Sequence, residues 1–175
     1  QVEGKRQTVQ HPYGGIVKQL QVREGQRVEK GQVLFTLFDS DPRAKLDVLL
    51  HGGGTERADA IKIEMQQTMT DRVGIFRTGA DLQRAVDKLQ ELLVRSRNIG
   101  LRSHRDGPNP ELVTAYRVQK MIKVALCVAQ GALTRTESRG AHFRQDHPRR
   151  NDAERLKRTL ATWKSAGDDL PTLAY

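Results

Sequence analysis

The sequence predicts an α+β chain: a small N-terminal antiparallel β unit, then a three-helix bundle with an irregular basic tail. Three observations carry that expectation. Residues 5–38 are rich in Val, Gln, Gly and Thr, and their apolar runs have strand length between glycines. Residues 57–136 instead repeat apolar side chains every three or four positions, the period of a helix face. Beyond Arg139 the chain is charged and interrupted by Gly140 and Pro148, so only short elements fit.

In the β unit, Lys5–His11, Ile16–Val22 and Gln32–Phe38 read as strands, with Gly14-Gly15 and Glu24-Gly25 supplying the turns. Asp39-Ser40-Asp41-Pro42 reads as a turn or helix start, and Ala44 to Leu50 as a short amphipathic stretch. His51-Gly52-Gly53-Gly54-Thr55 is the strongest linker signal in the chain. The expected division is therefore a β unit at 1–50, a glycine-rich junction at 51–56 and a helical domain at 57–175. A β unit this small leaves strand edges unpaired, so it is also a candidate homodimer contact.

The helical part declares its own boundaries. Ile61, Met65, Met69 and Val73 recur every four residues, and Gly74 closes that helix. Thr78 is placed to cap a second helix, with Asp81 three residues on. Its apolar stripe is Leu82, Ala85, Val86, Leu89, Leu92 and Leu93, and it is expected to stop near Gly100. A loop through Gly107-Pro108 follows. Asn109 then caps a third helix, with Pro110 at its first position, where a missing N–H costs nothing. That helix should run to about Thr136 on Val118, Met121, Ile122, Ala125, Ala129, Ala132 and Leu133. Val124 to Ala129 is apolar on every side, which predicts the most buried helix of the bundle.

Composition narrows the function classes. That six-residue run is the longest apolar one, too short for a membrane-spanning helix. The start, Gln1-Val2-Glu3-Gly4-Lys5-Arg6, has no apolar stretch for a signal peptide and no Met, which leaves room for an upstream segment. One cysteine, Cys127, rules out an intramolecular disulfide and a multi-cysteine metal site. Its place in an apolar helix predicts a small buried apolar residue. The five histidines show no paired spacing, so no metal is expected. The net charge of +9 is uneven: eight Lys and Arg against six Asp and Glu in residues 1–50, and 22 against 15 in residues 51–175. Positive charge draws phosphate backbones. Yet Arg135 to Arg158, the densest stretch, contains a single aromatic residue, Phe143, and no nucleic-acid-binding motif, so no nucleic-acid partner is expected.

One string is specific. Arg135-Thr136-Glu137-Ser138-Arg139-Gly140-Ala141-His142-Phe143-Arg144-Gln145-Asp146-His147-Pro148-Arg149-Arg150-Asn151-Asp152 resembles the signature of the C-terminal helical domain of succinate dehydrogenase/fumarate reductase flavoproteins. Met65 to Met69, Val73 to Thr78, Leu156 to Leu160 and Leu170 to Tyr175 agree with it, the last with fumarate reductases that pair with a di-haem cytochrome b. The resemblance covers about residues 57–175. It implies a non-catalytic structural domain that packs on a flavin-binding domain and helps hold an iron–sulfur subunit. The parent reaction is fumarate/succinate interconversion with FAD. The family's flavin-binding GxGxxG turn has no counterpart here, and its flavin-attaching, substrate-binding and proton-donating residues lie upstream of this domain. The expectation is therefore no catalytic, cofactor or metal residue in this chain. The resemblance also implies a place on the cytoplasmic side of a membrane, held through partner subunits. Arg135, Glu137, Arg139, His142, Arg144 and Asp146 are the expected interdomain contact, and replacing Arg139, His142 and Arg144 together should barely alter the chain's own stability.

Residues 5–48 resemble a different family. Gly14-Gly15-Ile16-Val17 followed by Val22-x-Glu24-Gly25-x-x-Val28-x-x-Gly31-Gln32-Val33-Leu34 is similar to the first half of the split lipoyl-like domain of membrane-fusion adaptors. In carrier domains of that type a hairpin-tip Lys bears the prosthetic group. Asp39-Ser40-Asp41-Pro42-Arg43 has none, and Lys45 reads as a solvated helix residue. This resemblance gives the alternative function, a periplasmic adaptor fragment of a secretion or efflux system. Two partial resemblances meeting at glycines read as a composite, an artificial or misassembled fusion.

Overall fold

A computed structural model describes residues 17–23, 25–29, 31–37, 40–103, 109–165 and 167–175. The chain divides into two compact units between Lys45 and Leu46, not at the glycine run that composition favoured. In the first unit β1 (Val17–Leu20) and β2 (Phe35–Leu37) pair antiparallel, Val17 opposite Leu37 and Leu20 opposite Phe35, with a bulge between Val17 and Gln19. Between them Gly25 and Gly31 take φ of +78° and +89°, which a side chain would strain. Each is followed by a glutamine that closes its turn. Gln26 Oε1 accepts from the Arg23 N–H, and Gln32 Oε1 from the Glu29 N–H. The described residues of this unit form a two-stranded hairpin, not a lipoyl-like barrel. The expected strand Lys5–His11 and the Gly14-Gly15 turn lie outside the described residues.

The second unit is built on three helices. α1 (Ser40–His51) spans the division, and its Leu49 and Leu50, in the second unit, pack partly buried on the core. α2 (Ala58–Arg72) buries Ile61 and Met65, with Val73 buried just past its end. α3 (Gly79–Arg95) starts as its sequence demands: Thr78 Oγ accepts from the Asp81 N–H at 3.1 Å and donates to the Asp81 carboxylate at 2.7 Å. All six residues of its expected stripe are buried. It stops at Arg95 rather than Gly100, and a single 3₁₀ turn, Ser96–Asn98, follows.

α4 (Pro110–Thr134) is capped by Asn109, whose Oδ1 accepts from the Leu112 N–H. Its core face is as read, with Val118, Ile122, Ala125, Ala129 and Ala132 buried. The apolar run Val124 to Ala129 is not buried all round. Val124 is 65% exposed and Val128 46%, because α2 and α3 cover only one side of α4.

The glycine run is seated, not a free linker. Gly53 bridges Gly100 and Glu56 bridges Ile99. The Glu56 N–H donates to the Asn98 carbonyl, and the Gly100 N–H to the Glu56 carbonyl, both at 3.0 Å. Arg95 then forks onto both carboxylate oxygens of Glu56 at 3.0 Å and onto Glu64 at 2.8 and 3.0 Å, tying this segment and α2 to α3. There is no room for a side chain: a Cβ on Gly100 would fall into the Gly54 carbonyl, and one on Gly54 into the Asn98 and Ile99 backbone. At Gly53 a Cβ meets nothing. Gly100→Ala should therefore lower the urea midpoint by the equivalent of about 1–3 kcal/mol. Gly53→Ala should stay within about 0.5 kcal/mol of wild type. Equal midpoints for the two variants would mean that this segment does not seat against the 3₁₀ turn.

Candidate functional site

The string from Arg135 to Asp152 begins where α4 ends, and its role follows from the needs of helix termini. The last carbonyls of a helix lack partners and carry partial negative charge, and the first N–H groups carry the opposite. After α4 the chain reverses at Gly140, whose φ is +57°, and Arg139 and His142 exchange backbone hydrogen bonds across the turn. That turn delivers β4 (Phe143–Arg144), which pairs parallel with β3 (Phe76–Arg77), the strand just before α3.

Arg144, 2% exposed, joins the two helix ends. Its Nη1 donates to the Ala132, Leu133 and Arg135 carbonyls at 3.0–3.3 Å, covering the C-terminus of α4. Its Nε and Nη2 fork onto Asp146 at 2.8 Å, and Asp146 accepts from the Gly79 N–H, at the start of α3, at 2.8 Å. A cation thus sits at one helix C-terminus and an anion at the other's N-terminus. A Cβ on Gly79 would stand 2.9 Å from that carboxylate, so the position suits glycine. The Arg144 guanidinium and the Gly79 N–H hold the Asp146 carboxyl well below the usual carboxylate range.

Glu137 is fully buried and fully used. It accepts from Arg139 Nε and Nη2 at 3.0 and 3.1 Å, from Arg135 Nη1 at 2.5 Å and from the Asn151 N–H at 2.9 Å. Arg139 chiefly, then the Asn151 N–H and Arg135, pull its carboxyl down from 4.5 to about 2 against the effect of burial. Asn151 caps the one-turn α5 (Asp152–Arg155), and Arg139 also pairs with Asp152. Arg135 reaches on to the Arg155 and Lys157 carbonyls and so holds the chain leading to β5 (Leu160–Thr162), the antiparallel partner of β6 (Thr172–Ala174).

His142 stands between these groups. Arg77 Nη1 donates to its Nδ1 at 2.6 Å, and its Nε2–H donates to the Arg135 carbonyl at 3.1 Å, which fixes the neutral tautomer. Burial pushes its pKa down, and the Arg77 and Arg144 guanidiniums add to that, while the bond to Arg135 opposes it. The ring is therefore a fixed hydrogen-bond bridge.

The six residues expected as an interdomain contact are brought together, but mostly turned inward. The expectation that Arg139, His142 and Arg144 could be removed at little cost is corrected, since Arg144 caps α4 from a buried position and Arg139 neutralises buried Glu137. Sequence reasoning passed over Arg77, Gly79 and Asn151. Arg77 stood in a quoted family segment, but it lies 65 residues from His142, and no period links residues so far apart.

Two surface features adjoin the cluster. Ile75 and Phe76 are 58% and 71% exposed, and Phe76 meets the half-exposed ring of Phe143 edge-on at 5.7 Å. An open cleft of about 250 Å³ is lined by Arg77, Arg135, His142, Thr159, Cys127 and Val128. Cys127 is not a buried apolar residue as expected: it is half-buried, and its Sγ accepts from Trp163 Nε1–H at 3.2 Å. Among the described residues no group of three or more His, Cys, Asp and Glu is placed to hold a metal ion. The described residues do not fit a flavin dinucleotide either. Their one parallel pair of strands is two residues long, and the N–H that opens the helix after β3 is taken by Asp146.

The family model described as "Fumarate reductase flavoprotein C-term" matches residues 62–175. The chain belongs to that family. It is 48% identical over 138 residues to the fumarate reductase flavoprotein subunit of Helicobacter pylori, a match covering 79% of this chain and 19% of the relative. The Bacillus subtilis succinate dehydrogenase flavoprotein subunit is 31% identical over 155 residues, covering 85% of this chain and 26% of its own length. A mutant form of E. coli quinol fumarate reductase superposes with a TM-score of 0.71 at 32% identity, over 76% of this chain and 23% of that one. The chain thus spans about a fifth to a quarter of these relatives. A 138-residue match is longer than the chain from His51 onward, so the similarity reaches back across the glycine run. Nothing found supports the adaptor resemblance of residues 5–48 or pairing of two chains through the hairpin.

Proposed function

We propose that this chain is the helical tail of a fumarate reductase/succinate dehydrogenase-type flavoprotein, and that it binds rather than catalyses. It packs on a flavin-binding domain that carries the FAD and the fumarate/succinate chemistry, and it helps hold an iron–sulfur subunit. Those partners place it on the cytoplasmic side of a membrane. Among the described residues no helix is long and apolar enough to cross one. The observation that carries the reading is the exposed apolar group made by Phe143 of the family string with Ile75 and Phe76 beside it. An apolar patch supported by a rigid ion-pair cluster is what a docking face requires, with its ordering cost already met on folding.

A chimera tests it. The matching region of the H. pylori flavoprotein subunit is replaced by this chain. The chimera should retain FAD and reduce fumarate with a reduced dye, and the chain alone should do neither. Phe76→Ser with Phe143→Ser should weaken the docking by tenfold or more, on the order of a lost hot spot, and leave the isolated chain's melting unchanged. A chimera without flavin, or an isolated chain that binds it, would count against the reading.

A further inference from the structure

Arg77 is held in this cluster by neutral acceptors. Its Nε donates to the Gly74 carbonyl at 2.5 Å, its Nη2 to the Val73 carbonyl at 3.3 Å and its Nη1 to neutral His142. Among the described residues no carboxylate pairs with it. The neighbouring guanidiniums are served: Arg135 and Arg139 by Glu137, Arg139 and Arg150 by Asp152, Arg144 by Asp146. The group as a whole has five guanidiniums on three carboxylates, an excess of positive charge. A half-buried guanidinium held by carbonyls and a neutral ring keeps its full charge in a poorly solvated place, an arrangement that an incoming anion relieves. Two of its five N–H bonds are unused, both on the Nη atoms. Arg77 lines the open cleft of about 250 Å³, where Cys127, Val128, Ala132 and Ala161 form an apolar wall and Thr159 lies near. Such a wall lowers the dielectric on one side of an ion pair and strengthens it.

From this geometry we infer that the cleft receives one carboxylate, the side chain of an Asp or Glu carried on the flavin-binding domain, with Arg77 as its anchor. The inference rests on the docking reading above and gives that contact its chemistry. Phe76 and Phe143 supply apolar area, and Arg77 supplies register, since a planar guanidinium takes a carboxylate in a fixed orientation.

Acetate is the probe on the unmodified chain. The Arg77 Nε–H and the His142 ring nitrogens, followed by NMR, should move saturably with acetate and not with chloride at matched ionic strength. Arg77→Lys should keep a response and Arg77→Gln should lose it. In the chimera, Arg77→Gln should speed proteolytic release of the C-terminal domain about 30-fold, the loss expected when one partner of a desolvated charge pair is removed. Arg77→Gln in the isolated chain, digested in parallel, corrects for any change in the chain's own stability. Acetate acting no differently from chloride overturns the inference. So does an Arg77→Gln chimera that releases no faster than its parent, which would leave a site for free carboxylates only. A chimera that loses flavin while Arg77 in the isolated chain still saturates with acetate tells against the docking reading alone and supports the anion site.

Discussion

Replacing Glu137 with alanine should destabilise the chain by about 3–5 kcal/mol, the usual cost of leaving buried partner charges uncompensated. The carboxylate is wholly buried and neutralises Arg135 and Arg139, while also holding the Asn151 N–H that opens α5. Glu137→Gln keeps the shape and loses the charge, so it should fall between alanine and wild type. The pH dependence has a definite sign. A carboxyl held at about 2 in the fold and at 4.5 when unfolded contributes stability that is complete above 4.5 and is lost as pH falls through about 2. The alanine variant has nothing to lose there. The gap between wild type and Glu137→Ala, read from urea unfolding, should therefore shrink steadily from pH 4.5 downward. A gap that stays constant over that range would show that the carboxylate is not the source of the stabilisation.

Ala125→Asp should unfold the bundle, at a cost of about 4 kcal/mol or more. Ala125 is 6% exposed on the face of α4 that packs against the other helices, where a carboxylate finds neither water nor a partner. Val124→Asp, one residue earlier on the exposed side, should change the melting temperature little. The pair separates burial from helix propensity, because the same residue enters the same helix at adjacent positions. Comparable losses from both would mean that α4 presents a different face to the core.

The helices were readable because their cues are local. Thr78 and Asn109 bond the N–H three residues on, and the stripe from Leu82 to Leu93 needs only the helical period to find one face. The string from Arg135 to Asp152 was legible as a family signature for the same reason, since it is contiguous. What its residues do was not legible. Arg144 reads as a surface cation until β3 and β4 pair and set it between the end of α4 and, through Asp146, the start of α3. The apolar run at Val124 to Ala129 misled in the opposite way, because composition cannot say how many neighbours a helix has. The glycines at 52–54 misled too: glycine serves both a free linker and a backbone pressed against another backbone, and only the approach of Gly100 to Gly54 tells the two apart. The sequence alone thus determined the helices, their caps, their core faces and the family. Which charges are buried, which valines stay wet and why Arg77 meets no counter-charge among the described residues were decided by the tertiary structure. Those properties depend on groups tens of residues apart meeting at van der Waals and hydrogen-bond distance, and no local pattern encodes such a meeting.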